Sequence, residues 1–269
     1  MSNIKLIALD LDGTLLSSNK QISDANIKVI QSARAKGIKV VFNTGRPLVS
    51  LLEYLSKLEL YGNEEFTIAN NGGLVQRNDG TIISQTLLSF EELAKIKGVA
   101  QSFELPIDII SGEICYTVES TNKSLLTYVN NTLEFRRLEF SEVPKEADFN
   151  KVIISAESHI IDELPSKFEA EFAQSYDYFR TRDILLEFMP KGVNKASGLE
   201  KLCLELGIKA EQVLAMGDED NDAPMLEWAG LGIAPANAKG QALTSANIIS
   251  EYTNDADAVA HVINQYVIE

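Results

Sequence analysis

The chain alternates short apolar runs with stretches of helical apolar spacing, and this alternation limits the possible folds more than any other feature of the sequence. Near the N-terminus the apolar runs are residues 4–9, 38–42 and 66–69, and the stretches between them have the spacing of helices. The same alternation returns between residues 195 and 267. Strands that alternate with helices in this way form a parallel sheet joined by crossover helices.

The middle of the chain does not follow this alternation. Two pairs of short apolar runs, within residues 107–118 and 176–188, flank turn residues and are typical of antiparallel hairpins. Helices are expected between and beside them, at residues 90–103, 122–133 and 159–172. The sequence therefore predicts an α/β fold in which residues 1–83 and 189–269 form a Rossmann-like parallel sheet with helices on both faces. Residues 84–188 form an inserted α+β domain.

Composition and charge indicate a globular protein that does not bind polyanions. Apolar residues make up 45% of the 269 residues, which is ordinary for a globular domain. The chain has 24 basic and 39 acidic side chains and a formal net charge of −15. Neither a nucleic acid nor an anionic membrane surface is therefore expected as a partner.

Cysteine and histidine are too scarce for several kinds of site. Cys115 and Cys203 form no CxxC pattern, which argues against a disulfide framework and against a thiolate zinc site. The two histidines are too few for a multi-histidine metal site. The first apolar run meets Asp10 at once, so it is a poor signal peptide, and no apolar stretch is long enough to span a bilayer. We therefore expect a cytoplasmic protein.

Two aspartates follow the first predicted strand directly, in the run Asp10-Leu11-Asp12-Gly13-Thr14. Ligands of open α/β sheets bind at the carboxyl ends of the strands. Paired carboxylates at the end of a buried strand cost free energy unless a cation or a proton compensates their charge. The run therefore indicates a functional site, although a calcium-type acidic loop and a plain Asp-Gly turn have the same short pattern.

Polar residues also follow other predicted strands. Thr44-Gly45-Arg46 offers a hydroxyl and backbone N–H groups at a helix start, which suits an anion, and the alternative is a helix cap. Residues 217–222 contain four acids, which suit a hard cation or, alternatively, an exposed acidic turn. Lys195 begins a predicted helix, where the helix dipole slightly disfavours a cation, which raises the expectation of a functional role; a surface lysine is the ordinary alternative.

Together these runs resemble the four motifs of the haloacid dehalogenase-like phosphatases. DLDGT, TGR, Lys195 and GDEDND stand in the order of that family. NNGG at 70–73 and KGVNK at 191–195 look like its Cof-type subfamily, which acts on sugar phosphates and related small phosphate esters. The resemblance covers the whole chain and implies that residues 84–188 form a large cap that determines substrate specificity.

The resemblance implies roles for individual residues. Asp10 matches the nucleophile that forms an aspartyl-phosphate, and Asp12 matches the general acid/base. The family's Mg²⁺ ligands match Asp10, Asp218 and the backbone carbonyl of Asp12. Its phosphate-binding groups match Leu11 (through the backbone N–H), Thr44, Gly45, Lys195 and Asn221. Thr44 and Lys195 belong with the two aspartates to the catalytic set.

Several roles and the reaction itself have alternatives at this point. Asp222 either supports the metal site or orients Lys195, and Arg46 either binds substrate or pairs with a core acid. Asn70 and Asn71 either touch the leaving group or form a turn. The implied activity is Mg²⁺-dependent hydrolysis of small phosphate monoesters, in the first place sugar phosphates. A phosphomutase or phosphotransferase with the same intermediate and a non-catalytic sensor of sugar phosphates are the alternatives.

Overall fold

The computed structural model describes residues 3–130 and 132–268, and the chain divides into two compact units. The core unit consists of Met1–Arg46, Leu51–Gln85 and Asn194–Glu269. The inserted unit consists of Pro47–Ser50 and Thr86–Val193. The inserted unit begins two residues later than the predicted boundary at 83/84 and ends five residues later than the predicted boundary at 188/189. Residues 47–50 were expected in the core but belong to the inserted unit.

Fourteen strands form two sheets within the described residues. The strands are β1 (Leu6–Leu9), β2 (Lys39–Asn43), β3 (Phe66–Ala69), β4 (Leu74–Arg77), β5 (Ile82–Gln85), β6 (Ile107–Ser111), β7 (Ile114–Val118), β8 (Glu134–Arg137), β9 (Lys151–Ser155), β10 (Tyr176–Arg182), β11 (Leu185–Pro190), β12 (Val213–Met216), β13 (Leu231–Ala234) and β14 (Ile248–Ile249). The core sheet has the order β14-β13-β12-β1-β2-β3-β4-β5, and it is parallel from β14 to β3. β4 and β5 add an antiparallel edge.

Nine α-helices connect these strands within the described residues. They are α1 (Asp24–Ala35), α2 (Leu52–Lys57), α3 (Phe90–Ser102), α4 (Ser158–Glu163), α5 (Ala170–Ser175), α6 (Lys195–Leu206), α7 (Ala223–Trp228), α8 (Gln241–Ser245) and α9 (Ala258–Ile263). None of these helices is both long enough and apolar enough to cross a membrane.

Helices cover both faces of the core sheet, as predicted. The central strand β1 is buried along its whole length, as expected of a strand covered on both sides. Leu6 and Ala8 of β1 pack in one cluster with residues of α6 and α7. Ile7 and Leu9 alternate with them and are buried on the opposite face.

Two long helices of the core unit have local sequence signals at their ends. The Ser23 side chain accepts the Asn26 N–H at 3.1 Å and caps α1, and Gly37 follows that helix with φ +81°. α6 ends at Gly207, whose φ is +64°. Its N-cap is Asn194, which accepts the Ser197 N–H at 3.0 Å. This cap fixes the turn that begins with Lys195.

The inserted unit is built on a six-stranded sheet with the order β10-β11-β9-β6-β7-β8. The two predicted hairpins are confirmed, because β6 pairs antiparallel with β7 and β10 pairs antiparallel with β11. One face of this sheet packs on α3, and a cluster of buried aliphatic and aromatic side chains fills the interface. The unit therefore has a hydrophobic core of its own.

Two helices predicted in the inserted unit are wrong. Between residues 122 and 133, where position 131 lies outside the described residues, there is a 3₁₀ turn at Leu126–Tyr128 and no α-helix. The Ser124 hydroxyl in this segment donates to buried Asp108 of β6 at 2.5 Å, so the chain is held against the sheet. The helix predicted at 159–172 is divided into α4, a 3₁₀ turn and α5, since Pro165 lacks the N–H that would continue it.

Candidate active site

Loops at the carboxyl ends of four neighbouring strands carry the polar residues that the sequence singles out. Asp10 follows β1, Thr44 follows β2, Asn70 follows β3, and Asp218 follows β12 after one glycine. Because β12, β1, β2 and β3 are parallel neighbours, these loops emerge at the same edge of the sheet. All four side chains are buried, with at most 6% of the residue exposed.

The Lys195 ammonium joins two of the acids. Its Nζ donates to Asp10 Oδ1 at 2.5 Å and also to Asp222 Oδ1. Lys195 is completely buried, and burial alone would lower its pKa. The charges of Asp10 and Asp222 outweigh burial and hold the pKa of Lys195 above its ordinary value. Lys195 is therefore a fixed positive charge beside Asp10.

Asp222 orients Lys195 and also holds the loop that carries Asp218. Its Oδ2 accepts the backbone N–H groups of Asp218 at 2.9 Å and Glu219 at 3.0 Å. A Cβ on Gly217 would lie 2.4 Å from the Asp222 side chain, so glycine is required at that close approach. Both carboxylate oxygens of Asp222 have partners in the protein.

Asp218 completes a cluster of three buried carboxylates. One oxygen from each of Asp10, Asp218 and Asp222 lies within 4.8 Å of the others. Thr14 Oγ1 donates to Asp218 Oδ1 at 2.9 Å and fixes the orientation of that side chain. Carboxylates at these distances repel one another unless a cation or a proton intervenes.

Burial and this crowding together raise the pKa values of two of the carboxyls. Burial raises the pKa of Asp10 to about 7; Lys195 opposes this shift and Asp222 adds to it. Burial, followed by repulsion from Asp10 and Asp222, raises the pKa of Asp218 to about 8. Around neutral pH, Asp10 and Asp218 therefore titrate as an interacting pair.

Asp12 is in the opposite electrostatic state. Arg46 donates from Nε and Nη2 to its two oxygens, at 2.6 Å each, and Lys20 Nζ donates to Oδ1 at 2.5 Å. Burial would raise the pKa of Asp12, but the hydrogen bonds and charges of Arg46 and Lys20 hold it well below its ordinary value. Of the alternatives for Arg46, pairing with a core acid is the one observed. Leu11, between the two aspartates, is fully buried.

A further set of contacts groups the predicted phosphate-binding residues. The Asn71 N–H donates to the Thr44 carbonyl at 2.9 Å, and Asn221 Nδ2 donates to Asn71 Oδ1 at 3.0 Å. A Cβ on Gly45 would lie 2.9 Å from Asn71 Oδ1, so these residues are in close contact. Asn70 and Asn71 have φ values of +50° and +52°, a left-handed turn that asparagine tolerates. The turn predicted at NNGG is therefore present.

The buried acids suit a magnesium ion. Mg²⁺ prefers oxygen ligands and is commonly held by one or two carboxylates. Asp10 and Asp218 offer such oxygens, whereas those of Asp222 are engaged with Lys195 and the backbone. Burial is the main cause of the raised pKa values of Asp10 and Asp218, and repulsion between carboxylates adds to it; a divalent charge opposes both effects. All three expected ligands, which are Asp10, Asp218 and the Asp12 carbonyl, stay predictions.

Comparison with known families decides what kind of protein this is. A model of the haloacid dehalogenase-like hydrolases matches residues 7–263. The chain belongs to this family. The family and the Cof-type character predicted from the motifs are therefore confirmed.

The relatives of this haloacid dehalogenase-like hydrolase include phosphatases. The 5-amino-6-(5-phospho-D-ribitylamino)uracil phosphatase YitU of Bacillus subtilis (strain 168) is 31% identical, and the alignment covers 97% of each chain. The phosphatase YcsE of the same organism, named for the same substrate, is 30% identical over 99% of this chain and 97% of its own. A haloacid dehalogenase-like hydrolase from Bacteroides thetaiotaomicron superposes with a TM-score of 0.82 at 28% identity, covering 97% of this chain and 99% of its own. These findings assign the chain to the phosphoric monoester hydrolases of the family.

Sequence reasoning gave no role to three residues that the structure brings to the site. Thr14 contacts Asp218, and Lys20 contacts Asp12. Asn43 Nδ2 donates to the Lys195 carbonyl at 3.0 Å, which ties the end of β2 to the start of α6. Thr14 lies within a motif and Asn43 lies beside one, both near strand ends, and this position could have indicated that they contact the site. Lys20 is in an exposed loop and carried no such signal.

Proposed function

We propose that this enzyme hydrolyses small phosphate monoesters, in the first place sugar phosphates, in a Mg²⁺-dependent reaction through an aspartyl-phosphate on Asp10. The observation that carries the proposal is the buried cluster in which Lys195 contacts Asp10 and Asp218 lies close by. A carboxylate that attacks a phosphate dianion needs positive charge beside it, and the cluster supplies a fixed ammonium and a carboxylate set that suits a divalent ion.

Asp10 and Asp12 divide the reaction between them in this proposal. A carboxylate oxygen of Asp10 bonds to phosphorus as the bond from phosphorus to the leaving oxygen breaks, and Asp12 gives its proton to that oxygen. Water then attacks the phosphorus of the aspartyl-phosphate and gives a proton to Asp12, while the bond from phosphorus to the Asp10 oxygen breaks and releases inorganic phosphate and the Asp10 carboxylate. The low pKa of Asp12 matches its ionised state before proton uptake. To donate a proton first, Asp12 has to leave its ion pair with Arg46 and take up a proton from solvent when the leaving group is in place.

Other groups hold the phosphoryl group. Those proposed are the side chains of Thr44, Lys195 and Asn221 and the backbone N–H groups of Leu11 and Gly45. Lys195 keeps its charge in the buried site, so it can stabilise the negative charge on the phosphoryl oxygens. Mg²⁺, held by Asp10, Asp218 and the Asp12 carbonyl, would supply further positive charge and polarise a phosphoryl oxygen.

The substrate class and the location are proposed from chemistry. YitU and YcsE are named for a phosphate ester on a ribityl chain, which supports sugar phosphates and phosphorylated polyols as substrates here. We assign the choice among them to the inserted unit. Cys115 and Cys203 are free and buried, which suits a reducing compartment, and we propose a cytoplasmic location.

Asp10→Asn tests the proposal. The purified full chain is assayed for phosphate release from an aryl phosphate and from a panel of sugar and polyol phosphates, with Mg²⁺ and with EDTA. The variant should lose turnover and keep its fold, since asparagine is isosteric but a poor nucleophile. Asp24→Asn, at an exposed first-turn position of α1, is the matched control and should retain turnover. Turnover by Asp10→Asn close to that of the wild type would exclude the aspartyl-phosphate.

A further inference from the structure

The loop between β13 and α8, residues 235–240, contacts both loops that carry the buried acids. Asn237 Nδ2 donates to the Gly13 carbonyl at 2.8 Å, in the loop after β1. Lys239 donates its backbone N–H to the Asp218 carbonyl at 3.0 Å, in the loop after β12. We call residues 235–240 the connecting loop. None of the sequence motifs described above includes it.

The side-chain amide of Asn237 is held at both ends. Its Oδ1 accepts the backbone N–H of Asn254 at 2.8 Å, so its Nδ2 is the end that faces Gly13. Asn254 Nδ2 in turn donates to the Leu16 carbonyl at 2.8 Å. The two asparagines therefore attach the loop after β1 at two points. Because the Asn237 amide is bonded through both its oxygen and its nitrogen, its donor is oriented before any ligand arrives.

Gly13 is the point at which this attachment affects the site. Its φ is +82°, and a Cβ at this position would lie 2.1 Å from Asp218 Oδ2, so glycine is required there. Glycine has the greatest backbone freedom of all residues, and it has no side chain to hold its peptide group in place. The hydrogen bond from Asn237 restricts that peptide group. The Asp12 carbonyl, an expected metal ligand, is one peptide unit away.

We propose that Asn237 is a positioning residue of the metal site, which sets the spacing between the Asp12 carbonyl and Asp218. It acts through Gly13 on one side, and the same connecting loop holds Asp218 through Lys239 on the other. The inference rests on the proposed function, since it takes Mg²⁺ as the ligand. Replacing residues that orient metal ligands commonly costs about 10–100-fold in metal affinity. We expect a loss of that size for Asn237→Ala.

The test measures Mg²⁺ affinity directly. MgCl₂ is titrated calorimetrically into the full chain after removal of metal with EDTA, for the wild type and the variants. The matched control is Asn247→Ala, which removes a comparable bond: Asn247 Oδ1 accepts the Gly232 N–H of β13 at 2.7 Å. Unfolding midpoints in EDTA are measured alongside, because a purely structural role would change these midpoints without changing Mg²⁺ affinity. We expect the Mg²⁺ dissociation constant to rise about 10–100-fold in Asn237→Ala and to stay close to wild type in Asn247→Ala.

A second variant separates position from charge. Asn237→Asp is isosteric and keeps an acceptor for Asn254, but it places an oxygen opposite the Gly13 carbonyl. Weaker Mg²⁺ binding is expected, whereas added negative charge alone would tighten binding. Tighter binding by Asn237→Asp, wild-type affinity in Asn237→Ala, or an equal loss in Asn247→Ala would overturn the inference. A wild-type chain that binds no Mg²⁺ would overturn the metal of the proposed function as well, so the two failures differ.

Discussion

Replacing Gly198 by alanine should destabilise the core unit even though alanine favours helices. Gly198 is buried in α6, and an added Cβ would lie 2.6 Å from Gly72 Cα and 2.8 Å from Ile68 Cγ2. Alanine is favoured over glycine in a helix interior by about 1 kcal/mol. Overpacking costs about 1–3 kcal/mol, and the upper part of that range applies because one contact is with backbone. The expected net loss in unfolding free energy is about 1–2 kcal/mol.

The chain provides a matched control for this prediction. Gly98 is also inside a helix, α3, but it is exposed and an added Cβ would meet no atom within 4 Å. Gly98→Ala therefore keeps the gain in helix propensity without the clash. It should stabilise the inserted unit by about 0.5–1 kcal/mol. If the unfolding free energy falls in Gly198→Ala and rises in Gly98→Ala, the contacts of Gly198 are the cause of the loss.

Urea unfolding is the assay, followed by far-UV circular dichroism and by tryptophan fluorescence. Trp228 is the single tryptophan and packs against the cluster that includes residues of α6, so its fluorescence reports on the core unit. Activity should fall as well, by about tenfold or more, because α6 carries Lys195 and small displacements of such groups are costly. Unchanged or increased stability of Gly198→Ala, or an equal loss in Gly98→Ala, would refute the reasoning.

Three further predictions follow from the charges of the site. Lys195→Met leaves buried acids without their cation and should cost about 3–5 kcal/mol of unfolding free energy, measured in urea; an unchanged midpoint would contradict the buried ion pair. Because the pKa values of Asp10 and Asp218 are raised to about 7 and 8 in the fold, their protonation contributes its full stabilisation of the metal-free protein below about pH 4. That stabilisation is lost as pH rises through about 7 and 8. The increase in melting temperature that Mg²⁺ causes should therefore be larger at pH 9 than at pH 6, and an equal increase would count against it. Arg46→Ala should raise the pKa of Asp12 toward its ordinary value and move the acidic limb of the pH profile of kcat to higher pH. An unchanged acidic limb would show that the ionisation of Asp12 does not determine it.

The elements with local signals were predictable from sequence. The caps Ser23 and Asn194 and the glycines after α1 and α6 are short-range features, and those helices lie where the pattern indicates. The failures had long-range causes. Leu126, Val129 and Leu133 have helical spacing, but Ser124 bonds Asp108 across the sheet and the segment is held there instead. Tertiary contacts overrode local preference.

The site follows the same division. The acids after β1 and β12 were identifiable because they stand directly at strand ends, where parallel topology brings loops together. The residues that contact these acids or their loops were harder to identify from the sequence. Lys20 lies in an exposed loop, and only the folded path of that loop brings it to Asp12. Asn237 is more than 200 residues from Gly13 in the chain, so no local pattern could connect them.

The balance of buried charge links the protonation of the site to its proposed chemistry. Asp10, Asp218 and Asp222 form a cluster of three carboxyls, and the Lys195 ammonium contacts two of them, Asp10 and Asp222. If all three carboxyls ionise, two negative charges stay uncompensated in a buried place. Burial raises the pKa of Asp10 to about 7 and that of Asp218 to about 8, and repulsion among the carboxyls adds to both shifts. A divalent cation carries the charge that completes the balance. It would lower both pKa values and leave Asp10 ionised, which is the form that attacks phosphorus in the proposed reaction. Metal affinity and the nucleophilicity of Asp10 are then two results of one electrostatic balance, and a substitution that weakens Mg²⁺ binding should also raise the pH at which Asp10 becomes active.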